Sequence, residues 1–101
     1  MIKQRTGKEK GWLDFLKLCS SFPVEKNLNA FFNLFFTMEE KEMFSSRLLI
    51  IKALLDGKMT QRAIAEKHKV SIAQITRGSN ALKIIDPKLK KLLKDSFKEN
   101  P

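Results

Sequence analysis

The stretch Thr60–Leu82, TQRAIAEKHKVSIAQITRGSNAL, decides the fold of this chain. Gln61 opens a short helix that turns Ile64 and Ala65 inward, the alanine being small, as a close helix crossing requires. Val70 sits in a turn. Ser71 then caps a second helix whose Ile75, Ser79 and Leu82 recur at i, i+4 and i+7, which puts them on one face. The opposite face carries Ala73, Thr76, Arg77 and Asn80: small or polar residues, one of them cationic, none acidic. Two short helices at a tight turn, the second with such a face, are the layout of a helix-turn-helix over about residues 60–84, and that face can enter a DNA groove.

Working outward, the charge agrees. The 101 residues suffice for one domain with a single modest core. Against 11 Asp and Glu stand 20 Lys and Arg, net +9, unevenly spread. Residues 1–50 carry +2 and residues 51–101 carry +7, so the basic half is the half with the helix-turn-helix. A surplus of lysine is usually just a solvated face; coinciding with the motif, it fits a polyanionic partner. The single cysteine, Cys19, allows no internal disulfide and points to a reducing compartment. MIKQRTGKEKG at the N-terminus has charge but no apolar run behind it, unlike a signal peptide. Residues 1–10 therefore read as a flexible basic arm and 11–101 as a single helical domain for DNA binding and dimerisation. No segment approaches the roughly 20 apolar residues of a spanning helix. The expectation is a soluble, cytoplasmic protein without a membrane partner.

Helical signals run almost end to end and strand alternation is absent, so the fold class reads as all-α, a six-helix chain. Trp12, Phe15, Leu16 and Cys19 share a face of a first helix that closes before Pro23. A second runs to about Phe36. Thr37 with Glu40 is a capping-box signature opening a long third helix, and Gly57 is its C-terminal glycine. Ser71 with Gln74 repeats the capping box. Asp86 and Pro87 open a sixth helix that ends near Lys98. In the second helix seven of the nine residues Leu28–Phe36 (LNAFFNLFF) are apolar, and they surround it rather than stripe it. A helix apolar all round must be buried all round. One answer is a crowded monomer core; the reading taken is a core completed by a second copy, an obligate homodimer.

The remaining signals are plain ones. His68 has no Cys, His or carboxylate cluster at ligand spacing, so no metal is expected. The tail KLKKLLKDSF sets Leu89, Leu92, Leu93 and Phe97 against Lys88, Lys90, Lys91, Lys94 and the following Lys98, which suits a membrane surface but more often an amphipathic helix packed on its own domain. No nucleophile–base pair, phosphate-cradling glycine loop or paired carboxylates stand in a plausible site. An enzyme is not expected, and no catalytic residue is assigned.

QITRGSNALK (Gln74–Lys83) resembles the recognition-helix signature of the bacterial tryptophan repressor family. WLDFLKL, NLFFT, SRLLIIKALLDGKMTQR and the spacing between them resemble it too, over about residues 10–98. The resemblance implies an intertwined all-helical homodimer and no cofactor other than L-tryptophan, bound as corepressor between recognition helix and core. By match to the family, Arg47 pairs with the ligand carboxylate in the two-pronged manner of guanidinium, and Arg77 stacks over the indole as a cation–π contact. Thr37 matches a threonine at the carboxylate end; Leu34, Phe36 and Gly78 match residues lining the pocket, with glycine letting a ring approach the backbone. For DNA the resemblance implies Gln61 and Arg62 in the first motif helix and Ile72, Ala73, Gln74, Thr76, Asn80 and Lys83 in the second. Arg62 suits a guanine edge and Lys83 a phosphate. The partner is then palindromic double-stranded operator DNA with half-sites about one helical turn apart, a geometry that belongs to the family itself and comes with the resemblance. The output is repression of tryptophan biosynthesis or uptake genes.

Three positions depart from the family. Ala81 stands where some members have a serine able to help hold the ligand's amino group. Lys69 stands in the turn where glycine is common, beside the β-branched Val70, which should stiffen it. Gln74 stands where threonine occurs, and glutamine can pair with adenine N6 and N7. Two other readings therefore stay open: a DNA-binding dimer independent of tryptophan or tuned to another indole compound, and a basic dimeric interaction or membrane-surface module.

Overall fold

The computed structural model describes residues 7–22 and 25–99, and every regular element among them is helical. The elements are α1 (Gly7–Cys19), α2 (Glu25–Phe35), α3 (Met38–Asp56), α4 (Gln61–His68), α5 (Ile72–Ile84) and α6 (Pro87–Glu99). Residues 7–10, expected in the basic arm, form the first turn of α1 instead. Lys8, Glu9 and Lys10 are good helix formers, which outweighs the glycine before them. The rest of that arm lies outside the described residues. The chain divides between Thr37 and Met38 into two compact units.

The first unit is aromatic. Phe15 of α1 meets Phe31, Phe35 and Phe36 at ring-centroid separations of 5.4, 5.3 and 5.9 Å, and Trp12 stacks on it at 5.7 Å. These spacings suit offset and edge-on ring pairs. Yet no side chain of α1 or α2 is buried. Leu34, on the far side of α2 from the rings, stays 79% exposed.

The second unit is built on α3, against which α4, α5 and α6 pack. Its centre is three isoleucines from three helices, Ile50, Ile64 and Ile75, each at most 1% exposed. Ala53, Leu54, Met59, Ala65 and Val70 pack around them. Gly57 closes α3 with φ +72°, and its N–H donates to the Ala53 carbonyl at 3.1 Å. Asp86 Oδ1 accepts from the Lys88 N–H at 2.8 Å, capping α6 with Pro87 in its first position. Along α3 only Ile50 is buried, while Met43, Phe44, Leu48 and Leu49 face outward.

Candidate nucleic-acid interface

The helix-turn-helix is held by contacts between near neighbours in sequence. Thr60, extended, accepts the Ala63 N–H on its hydroxyl at 3.1 Å and starts α4. Four residues later Ile64 is fully buried and Ala65 half-buried, as their inward spacing predicts. Lys69 ends α4 in the left-handed region, φ 53° and ψ 48°, so a lysine does here what glycine does elsewhere. Its N–H and that of Val70 both donate to the Ala65 carbonyl, the second at 3.2 Å. The turn is thus tied back into the helix it leaves, and Val70 tucks against the isoleucine core.

Ser71 then opens α5 through a complete capping box. Ser71 Oγ accepts the Gln74 N–H at 3.1 Å, and Gln74 Oε1 accepts the Ser71 N–H at 2.8 Å. Along α5, Ile75 and Gly78 are buried and Ser79, Ala81 and Leu82 half-buried. Gly78 lies where α5 crosses α3. A Cβ built on it would come within 2.9 Å of Ile50 Cγ2, so the missing side chain is what the crossing requires. In this chain that space faces the core of the unit, a role that ring approach to the backbone did not anticipate.

The outer face of α5 holds Ile72, Ala73, Thr76, Arg77, Asn80 and Lys83, all exposed, with no acid among them. Lys83 Nζ donates to Asn80 Oδ1 at 3.4 Å, a long bond that exposed side chains readily give up. Gln61 and Arg62 are exposed at the start of α4. Arg62 Nε lies 4.0 Å from Glu66 Oε1, and both side chains are largely in solvent, so the pair contributes little and leaves the guanidinium available. Of the eight residues expected to touch DNA, Gln74 alone is drawn inward, half-buried beneath its cap.

The expected ligand residues fall in both units. Leu34 and Thr37 are exposed and Phe36 is half-buried in the first; Arg47 of α3 and Arg77 of α5 are exposed in the second. Neither arginine has an ion-pair partner among the described residues, which leaves two planar sets of donors uncommitted. Sequence reasoning missed a cleft of about 610 Å³ in the second unit, lined by Leu49, Met59, Lys67, His68 and Phe97 among others. The Lys52 ammonium lies 5.8 Å from the Phe97 ring centroid there. Nothing in residue spacing signals it, because it forms between helices distant in sequence. Among the described residues no three His, Cys, Asp or Glu side chains could hold a metal ion. Nor is any described helix long and apolar enough to cross a membrane.

Residues 10–96 match a protein-family model described as Trp repressor protein. A Trp operon repressor homolog of Chlamydia caviae is 58% identical over 87 residues, 86% of each chain. One from Chlamydia trachomatis serovar D is 56% identical over 85 residues, 84% of this chain and 90% of its own. A more distant one, from Haemophilus influenzae, is 37% identical over 75% of each chain.

Proposed function

The chain belongs to the Trp repressor protein family, a regulatory DNA-binding family rather than a catalytic one, and we propose that it represses transcription as a homodimer with L-tryptophan as corepressor. The observation that carries the reading is the outer face of α5. It is free of acid, presented by a helix whose start, turn and crossing are all fixed, and set in the half of the chain with net charge +7. Such a face suits the major groove of palindromic operator DNA, with Ile72, Ala73, Thr76, Asn80 and Lys83 of α5 and Gln61 and Arg62 of α4 toward bases and phosphates. The genes repressed are those of tryptophan biosynthesis or uptake, and the protein works in the cytoplasm.

The dimer is supported by apolar surface. Leu34, Met38, Met43, Phe44, Leu48 and Leu92 are each more than half exposed. A soluble monomer rarely carries so much, and a second copy can cover it. On this reading residues 11–101 act as one domain once two chains have joined.

Arg47 and Thr37 hold the ligand carboxylate, Arg77 covers the indole face, and Leu34, Phe36, Gly78 and Ala81 complete the pocket. Tryptophan fixes the tilt of α5 and so favours the DNA-competent population; by linkage, DNA must tighten tryptophan by the same factor. Calorimetric titration of L-tryptophan beside an Arg77→Ala control tests this. Saturable binding near one ligand per chain, lost in the control, is the expected result. Absence of heat at millimolar ligand at two temperatures refutes the corepressor. The reading then becomes a repressor independent of tryptophan or tuned to another indole compound, which the methyl of Ala81, unable to hydrogen-bond a ligand, would favour.

A further inference from the structure

Gln74 stands on the first turn of α5, where a glutamine ordinarily reads adenine by accepting from N6 on Oε1 and donating to N7 from Nε2. Here the oxygen is taken. It accepts the Ser71 N–H at 2.8 Å and faces the Ser71 hydroxyl at 3.3 Å, while the Gln74 N–H is held by Ser71 Oγ at 3.1 Å. Of the two lone pairs of that oxygen, the short bond to the Ser71 N–H holds one and turns the oxygen back toward Ser71, and the hydroxyl makes a long contact with the other. Pairing with adenine would break the box that starts the helix. Beside it Ile72, 51% exposed, and Ala73 carry the only other exposed side chains of that turn, and both are apolar. An apolar group in the major groove has one specific counterpart, the 5-methyl of thymine.

Building on the repressor reading above, we infer that Gln74 is a positioning residue that clamps the first turn of α5, and that the Ile72–Ala73 surface it holds selects thymine by its methyl group. The amide Nε2 stays free to donate to a phosphate or to any base acceptor, so it adds affinity with little discrimination.

The test starts from duplexes selected out of a random double-stranded pool by the full-length protein, with and without L-tryptophan. In the selected half-site each thymine is replaced singly by uracil, which removes only the methyl. At one thymine or more the swap should weaken binding about fourfold, the worth of one buried methyl. Ile72→Ala should abolish that ratio. Gln74→Ala should also shrink it, because the turn is released, and Gln74→Glu should restore it. Glutamate keeps an acceptor for the Ser71 N–H even though its charge lowers overall affinity. A cap that served stability alone would change affinity and leave the thymine-to-uracil ratio untouched. Uracil tolerated at every position, or Gln74→Ala relaxing an adenine position while the ratio holds, overturns the inference. Failure to enrich any sequence under either condition overturns the repressor reading instead.

Discussion

Replacing Gly78 by alanine separates the close crossing of α3 and α5 from every other account of this glycine. In a helix interior the change normally stabilises by roughly 1 kcal/mol, because glycine has more backbone freedom to lose. Here the new Cβ would lie 3.7 Å from Ile51 Cδ1 and from Leu54 Cδ1, ordinary contacts, but 2.9 Å from Ile50 Cγ2. Carbon pairs prefer about 3.5–4.0 Å, so the last contact is an overlap. Ile50 cannot give way cheaply. Its γ2 methyl is attached at the β-carbon, stiff in a helix, and the side chain is 1% exposed. Overpacking of this kind costs about 1–3 kcal/mol, which against the propensity gain leaves a net loss of up to about 2 kcal/mol. Ile50→Leu keeps the volume but moves the branch outward and vacates the γ2 position. In that background Gly78→Ala should change sign and stabilise by about 1 kcal/mol. The assay is urea unfolding followed by circular dichroism at one fixed protein concentration, since the stability of the proposed homodimer would depend on it. Equal stabilisation in both backgrounds would refute the crossing.

The other expectations follow from single contacts. Lys69→Gly should raise stability by about 1 kcal/mol, because φ 53° is free for glycine and strained for lysine; a lower urea midpoint would count against the left-handed turn. Val70→Gly should speed amide exchange across residues 61–82 in tryptophan-free protein, since Val70 anchors the turn to the isoleucine core; equal rates would show that the valine orders nothing. Asp86→Ala removes the acceptor for the Lys88 N–H and should cost about 1 kcal/mol in the same unfolding assay, while an unchanged midpoint would deny the cap any weight. Ala81→Ser should leave tryptophan affinity unchanged or tighten it by about 0.5–1.5 kcal/mol in calorimetry, and a clear weakening would argue against placing the ligand there.

What the sequence disclosed and what it hid divide along a physical line. Caps at Ser71 and Asp86, the glycine closing α3 and the inward Ile64 and Ile75 were all legible, because each depends on residues within one helical turn. The start of α1 was not, since three charged residues after a glycine read as well as an arm as they do as a helix. Ile50 beneath Gly78 was out of reach for another reason: only the register of α3 on α5 puts them together. Gln74 is the subtlest case. Its spacing from Ser71 announced the capping box, and its place on the first turn suggested a base reader. Those two uses compete for one oxygen, and the competition shows only in the folded geometry of the cap.

The same line runs through the energetics of the molecule. Everything that shapes α4 and α5 is internal to the second unit: two caps, a left-handed lysine tied to Ala65, three buried isoleucines and one glycine crossing. Among the described residues no side chain of α1 or α2 is buried and only Ile50 is buried along α3, while Leu34, Met43 and Leu48 are more than half exposed. A reading head folded by its own contacts can keep its shape while its tilt is adjusted. In the proposed homodimer a scaffold that needs a partner would tie the spacing of two such heads to one interface. Substitutions in the first class should therefore alter base preference or ligand response at constant dimer affinity. Those in the second, outside the proposed ligand residues, should alter DNA binding through the concentration at which dimers form. Such a division suits the proposed corepressor, which would change the angle of a helix without remaking it.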